Sequence, residues 1–269
     1  YNLCIDMGGR KEYEDPYWFT CCVGTGMESH SKYAEGIYYH NNDELFVSQF
    51  IASELTWTDK GIRVRQETTY PEEQATTLIM DCQQPVKFTL QIRYPYWAKN
   101  GITIAVNGQG RKVRQKAGSF VALKREWKTG DTVEVKMPFS LRLENMPDDS
   151  NRVAILYGPV VLAGDLGPNE DSAVHDPLYV PVLMTTDRNP ANWAEPVKGK
   201  VNGFVTKGVG KPRDVELTPF YAMHERHYSI FWDIFTQENW NTREQEYIEH
   251  QLRMKVLQDL TVDFVQAGE

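Results

Sequence analysis

From residue 44 onward, apolar and polar positions alternate with a period of two, broken at short intervals by turn residues. "ELFVSQFI" at 44–51, "GIRVRQETTY" at 61–70, "TTLIMDC" at 76–82 and "PVKFTLQIRY" at 85–94 each read as a strand. In the last, Val86, Phe88, Leu90, Ile92 and Tyr94 alternate with polar or charged residues, the pattern of a strand with one wet and one dry face. Antiparallel pairing suits such one-sided strands best. "ITIAVNGQ" at 102–109 places Asn107-Gly108 after alternating apolar residues, a strong hairpin signal because both turn positions must accept positive φ. "SFVALKREWKTGDTVEVKMP" supplies two more strands around Thr129-Gly130-Asp131. Several short strands in succession predict a closed β-sandwich, with a boundary near "NMPDDSN" at 145–151.

Beyond that boundary, "RVAILYGPVVLAGD" reads as a strand pair bent at Gly158-Pro159, followed by loops over 164–177 and 185–203. "DVELTPFYAMH" and "RHYSIFWDIF" predict further strands, so the fold class is mainly β: two consecutive antiparallel β-sandwich-type domains. Helical spacing shows at the two ends. Met27, Tyr33, Ile37 and Tyr38 place a helix over 27–39, after a stretch at 1–20 that reads as irregular, with turn signals at Gly8-Gly9 and Asp15-Pro16. "NTREQEYIEHQLRMKVLQDL" predicts a helix capped by Asn241 or Thr242. Its apolar stripe of Tyr247, Leu252, Val256 and Leu260 is expected to cover a sheet.

Composition narrows the field of function. With 269 residues, 41% of them hydrophobic, the chain can bury a real core. Its net charge of -8, with basic residues scattered, makes a nucleic-acid partner unexpected. No run of eighteen apolar residues occurs, so no membrane partner is expected. The first residue is Tyr1 with no leader before it, and "TVDFVQAGE" ends abruptly, which reads as a piece of a longer polypeptide.

The chemistry to explain is "WFTCCVGTGMESH" at 18–30. The four cysteines stand at 4, 21, 22 and 82, which is no disulfide framework. On spacing alone, plain burial is the favoured reading of Cys21 and Cys22, because cysteine often behaves as a small apolar side chain. Against it, the pair is glycine-punctuated and precedes a helix start, where the helix dipole favours a thiolate. A zinc site needs four ligands and adjacent cysteines supply two, with Cys4 as a candidate third.

The stretch "WFTCCVGTGMESHSKYAEGIYYHNNDELFVSQFIASELTW" resembles glycoside hydrolase family 127, the β-L-arabinofuranosidase-like proteins. Further resemblance lies in "RYPYWA…ITIAVNG", "NRVAILYGPVVLAGDLG" and "LTPFYAMHERHYSIFWD". The resemblance implies an (α/α)6 catalytic barrel followed by β-sandwich domains. Residues 1–42 would then be a short helical remnant of the barrel, 43–150 a first sandwich and 151–269 a second β-rich domain. It further implies that Cys21 is a nucleophile and zinc ligand, and Cys22 a second zinc ligand. A Glu-x-Cys element and an acid/base glutamate are expected upstream; "NLCID" does not match that element, so its Cys4 receives no role. The expected substrate is an L-arabinofuranoside or related glycan, cleaved with retention by the parent protein and not by this chain alone. A periplasmic or secreted bacterial location suits such an enzyme, a cytoplasmic one and a homodimer stay open, and a non-catalytic carbohydrate-binding module is the alternative.

Other residues carry plainer expectations. His224 and His227 read as surface or hydrogen-bonding residues, and Glu28 and Glu35 as solvated charges. Tyr94, Tyr96 and Trp97 read as core or interface packing before a sugar platform, and Cys82 as buried.

Overall fold

The computed structural model of the chain describes residues 2–3, 8–12, 17, 20–168 and 180–266. It is mainly β and divides into two compact units. The first comprises Glu14–Ser140 with Tyr157–Val160, and the second Asn2–Tyr13, Leu141–Leu156 and Val161–Glu269.

The first unit is built from two sheets. One runs in the order Gln109–Arg111, Thr103–Val106, Thr132–Lys136, Ala75–Cys82, Ile62–Glu67 and Ser53–Trp57. The other runs Ser119–Trp127, Val86–Tyr94, Glu44–Val47 and Tyr38–His40. Burial follows the sequence alternation: Phe88, Leu90, Ile92 and Tyr94 are buried while the residues between them are not. One pairing departs from the antiparallel rule, since Glu44–Val47 lies parallel to Val86–Tyr94. The expected hairpin forms, with Gln109 opposite Val106 and both Asn107 (φ 52°) and Gly108 (φ 74°) left-handed. The Asn107 amide donates to the buried Asp131 carboxylate at 2.7 Å. That carboxylate also accepts the Lys128 N–H at 3.0 Å, so two turns are tied by one acid.

Rings fill the interior. Trp127 donates its Nε1–H to the Phe88 carbonyl at 3.2 Å and packs on that ring, which meets Trp57 edge-on. A second cluster gathers at Phe139, edge-to-face with Tyr70, Trp97 and Tyr157 at 5.9, 5.2 and 5.5 Å. Gly158 is the expected bend, at φ 55°, and a Cβ there would stand 2.4 Å from the Phe139 ring.

In the second unit the main sheet runs Asn2–Leu3, Gly9–Glu12, Arg226–Ser229, Val160–Pro168, Arg152–Tyr157, Phe231–Phe235, Val182–Met184 and Gly210–Lys211. Its Val182–Met184 strand pairs parallel with Phe231–Phe235. The stretch read as irregular therefore supplies two strands where it is described; Asp15-Pro16 lies outside the described residues. Tertiary partners make the difference. The buried Lys11 donates to the Phe220 carbonyl at 2.6 Å with its ammonium 4.6 Å from the Phe220 ring, and His227 Nδ1 donates to the Gly8 carbonyl at 2.7 Å. The loop expected from 164 begins later, because the strand continues through Pro168. Gly164 is needed inside it, since Trp232 would lie 2.3 Å from a Cβ. The rest of that loop, 169–179, lies outside the described residues. The loop expected at 185–203 contains a 3-10 turn at Pro190–Asn192, capped by the Asn189 side chain, and the short strand Ala194–Pro196.

Both helices differ from their expected bounds. Helix α1 spans Cys21–Lys32, six residues earlier than its apolar spacing implied; Thr20 is extended and starts the helix, and Tyr38–His40 leaves it to join a sheet. Helix α2 spans Gln237–Gln266 and starts ahead of Asn241, because the Thr236 hydroxyl accepts the Asn239 N–H at 3.2 Å. Its docking residue is the buried Trp240, packed on Phe235 at 5.4 Å. The expected stripe does not cover a sheet: Leu252 and Val256 are 61% and 58% exposed.

Two stability predictions follow from these contacts. Phe139→Ala should cost roughly 3–5 kcal/mol and Gly158→Ala about 3 kcal/mol or more, against an exposed control, Val201→Ser, within about 0.5 kcal/mol in urea unfolding. The second concerns Asp214. Burial raises its pKa, but the Gly208, Gly210 and Val209 N–H groups and the Thr206 hydroxyl outweigh burial and hold it below the usual carboxylate range. A depressed folded pKa means this stabilisation is complete above about pH 4 and is lost as pH falls through the folded value. Thermal melts of Asp214→Asn should therefore lose less stability than the parent as pH falls from about 4 toward 2.

Candidate functional site

The local sequence explains how the cysteine pair is presented. Thr20 is extended (φ -94°, ψ 165°), and Cys21 and Cys22 open the first turn of α1. Short polar residues then bond back along the helix: Thr25 and Ser29 hydroxyls donate to the Cys21 and Thr25 carbonyls, each at 3.0 Å, and His30 Nδ1 donates to the Gly26 carbonyl at 2.8 Å. Such bonds satisfy the side chains locally without burying them. No residue of α1 is buried, and Met27 is 64% exposed.

Cys21 and Cys22 are exposed thiols with their sulfurs 4.0 Å apart. Plain burial, the reading that spacing favoured, is therefore overturned for this pair. The helix N-terminus is the end whose dipole stabilises negative charge, and the first turn carries no acidic residue to oppose it. The separation also fits a shared metal, since two thiolates on one tetrahedral zinc, with Zn–S near 2.3 Å, stand roughly 3.8 Å apart. The fit covers half of a coordination shell. Among the described residues no group of three His, Cys, Asp or Glu side chains forms a metal cluster, and Cys4 lies outside the described residues.

The remaining candidates separate. Glu28 and Glu35 are exposed. His227 is buried in its bond to Gly8, and His224 is exposed on the adjoining turn. Tyr94 and Trp97 are core residues, whereas Tyr96 is exposed, so the three form no common platform. Cys82 is buried, and burial, then Asp131 and Asp81, push its thiol pKa up.

Sequence reasoning missed a polar cleft of about 460 Å³ in the second unit, where Asp149, Arg152, Asp233, Arg243 and Glu246 converge beside α2. Its lining includes a bidentate ion pair, Arg152 to Asp233 at 2.7 and 3.0 Å. Each acid and base in it sits in an ordinary polar context in the sequence, so only folding brings them together.

Comparison with known proteins gives this geometry a setting. The family described as "Beta-L-arabinofuranosidase, GH127 middle domain" matches residues 44–139. No curated protein matches by sequence. Among solved structures, the crystal structure of Ara127N, a GH127 β-L-arabinofuranosidase from Geobacillus stearothermophilus T6, is similar with a TM-score of 0.61 and 19% identity, covering 81% of this chain and 38% of that enzyme. A structure described as a glycoside hydrolase is similar with a TM-score of 0.61 and 19% identity, over 80% of this chain and 39% of that one. A GH127 β-arabinofuranosidase also gives 0.61, at 21% identity, over 86% and 41%. The chain thus spans about two fifths of the length of the proteins it resembles in structure. Residues 44–139 match the model of the family 127 middle domain, and the chain has the fold of part of the enzymes it resembles.

Proposed function

We propose that this chain is the β-sandwich portion of a retaining glycoside hydrolase acting on L-arabinofuranosides or related glycans, with Cys21 as nucleophile. The observation that carries the reading is the exposed thiol pair, 4.0 Å apart at a helix N-terminus and immediately preceding the family 127 middle domain. Helix α1, Cys21–Lys32, then belongs to the catalytic domain. An α1 with no buried residue supports this, since a helix of 12 residues is marginal in water without a packing partner.

Cys21 and Cys22 would hold zinc, which when bound lowers the thiol pKa and keeps a thiolate available near neutral pH. Cys21 Sγ attacks the anomeric carbon while an acid outside the described residues protonates the departing oxygen. Water then cleaves the thioglycoside, returning the sugar and the thiolate, and two inversions leave the configuration retained. Among the described residues no group of three candidate ligands forms a metal cluster, so the chain by itself should bind little zinc and turn over nothing. The cleft at Arg152 and Asp233 supports the alternative of a glycan-binding module, because paired guanidinium and carboxylate groups match neighbouring sugar hydroxyls.

Two measurements test these readings. Zinc per chain, on protein purified without added metal, should be well below stoichiometric, with no release from an aryl β-L-arabinofuranoside. Stoichiometric zinc or turnover would overturn the inactivity of the chain, and saturable sugar binding without turnover would favour the binding module. Alkylation followed site by site by mass spectrometry should label Cys21 and Cys22 at least tenfold faster than Cys82, which is buried and has a raised pKa. Equal rates would sink the claim of a presented thiol pair.

A further inference from the structure

We propose that the loop at 110–118 is a binding surface for an anionic polysaccharide, one that carries a carboxylate on its sugar rings. Basic residues are scattered over a chain of net charge -8, yet "GRKVRQKAG" gathers four of them, Arg111, Lys112, Arg114 and Lys116, with no acid. All four are exposed, and none has an ion-pair partner among the described residues. The fold holds the segment that presents them. At one end Arg111 lies opposite Ile104 in the hairpin. At the other, the Gly118 N–H donates to the Tyr94 carbonyl at 2.8 Å and the Ser119 hydroxyl donates to the Lys116 carbonyl at 2.6 Å. Between these ends Val113 and Ala117 pack against the core of the first unit. A segment fixed at both ends and pinned twice in between has little freedom left to lose when a ligand binds.

The ligand follows from charge and from the ring beside the loop. Four cations without acidic neighbours set up a positive local field in an otherwise acidic molecule and select an anion. Lys112, Arg114 and Lys116 alternate along the segment, and on an extended chain alternate residues stand at most about 7 Å apart. That spread suits anions repeated along a polymer better than one compact phosphate, which needs its donors to converge. Ammonium and guanidinium groups both take carboxylates, the guanidinium through two parallel hydrogen bonds. Tyr96 supplies the second feature. It is 54% exposed, and a Cβ on Gly118, whose φ is 86°, would stand 3.9 Å from the Tyr96 Cβ, so an aromatic residue borders the basic segment. Its ring offers an apolar surface to the apolar face of a sugar. Duplex nucleic acid fits less well, because its charge every ~1.7 Å would meet the acidic remainder of the chain, whereas a polyuronate carries one charge per ring. The inference stands on the loop and is independent of the role given to Cys21.

The test is affinity electrophoresis of the whole chain through gels containing polygalacturonate, with the fully methyl-esterified polymer as the matched neutral probe. Polygalacturonate should retard the chain, and the ester, which keeps the rings and removes the charges, should bind about tenfold more weakly or less. Retardation should fall as salt rises from about 0.02 to 0.2 M, because screening weakens each exposed ionic contact. Lys112→Gln combined with Arg114→Gln should weaken binding about fivefold or more and leave the melting curve unchanged, since both residues are exposed. Lys198→Gln combined with Lys207→Gln removes the same charge at exposed positions elsewhere and should change binding less than about twofold. Tyr96→Ala should weaken binding severalfold and leave its salt dependence as it was, as loss of a stacking contact requires. Absence of retardation, equal binding of the ester, equal loss in the two double variants, or preference for a DNA oligonucleotide or anionic lipid vesicles over polygalacturonate would each overturn the proposal.

Discussion

The burial of Phe139 is the constraint on which the first unit depends. Its ring is met edge-on by Tyr70, Trp97 and Tyr157, contacts worth more than buried area alone because positive ring edges face negative ring faces. The neighbouring polar groups close around it: the Phe139 N–H donates to the Gln74 side chain at 2.9 Å, and the same amide donates to the Tyr157 hydroxyl at 3.1 Å. Gly158 lets the backbone come within reach of the ring. A sandwich closed by so many mutual contacts is rigid there, and the stretch from Tyr157 to Val160 counts with this unit for that reason.

Stability and candidate chemistry are kept apart in the first unit. Its core lies between two sheets, while the thiols stand on a helix with no buried residue. The sandwich can therefore tolerate or lose the thiols with little change in its own packing. Fold by itself does not assign an activity; what draws attention to Cys21 and Cys22 is their presentation, two soft ligands side by side at the positive end of a helix. Cys82, the same residue type at the end of a core strand, shows the contrast: its surroundings oppose the thiolate.

The second unit is assembled from distant pieces of chain. Residues 9–12 pair with Arg226–Ser229, and the lysine and histidine that secure the pairing meet partners more than two hundred positions away. Ion pairs at Arg152–Asp233 and Arg226–Asp165 lie along neighbouring strands of the same sheet. Helix α2 docks by Trp240, packed on Phe235, while Leu252 and Val256 are exposed.

The sequence by itself determined the strands of the first unit, because a half-buried strand must alternate and a type I′ turn must hold residues such as Asn107 and Gly108. It also determined the bend at Gly158 and the presence of a C-terminal helix. The resemblance to glycoside hydrolase family 127 was legible too, in "WFTCCVGTGMESH" and in the stretches that follow. Tertiary structure alone decided the rest. Spacing could not reveal that Cys21 and Cys22 are exposed, since burial depends on tertiary packing against α1, and no residue of that helix is buried. Nor could a local pattern show that residues 9–12 form a strand, because their partner lies at the far end of the chain. The stripe on α2 was visible as a pattern, but its direction was not: periodicity tells which residues share a face, and only the docking of Trp240 tells where that face points.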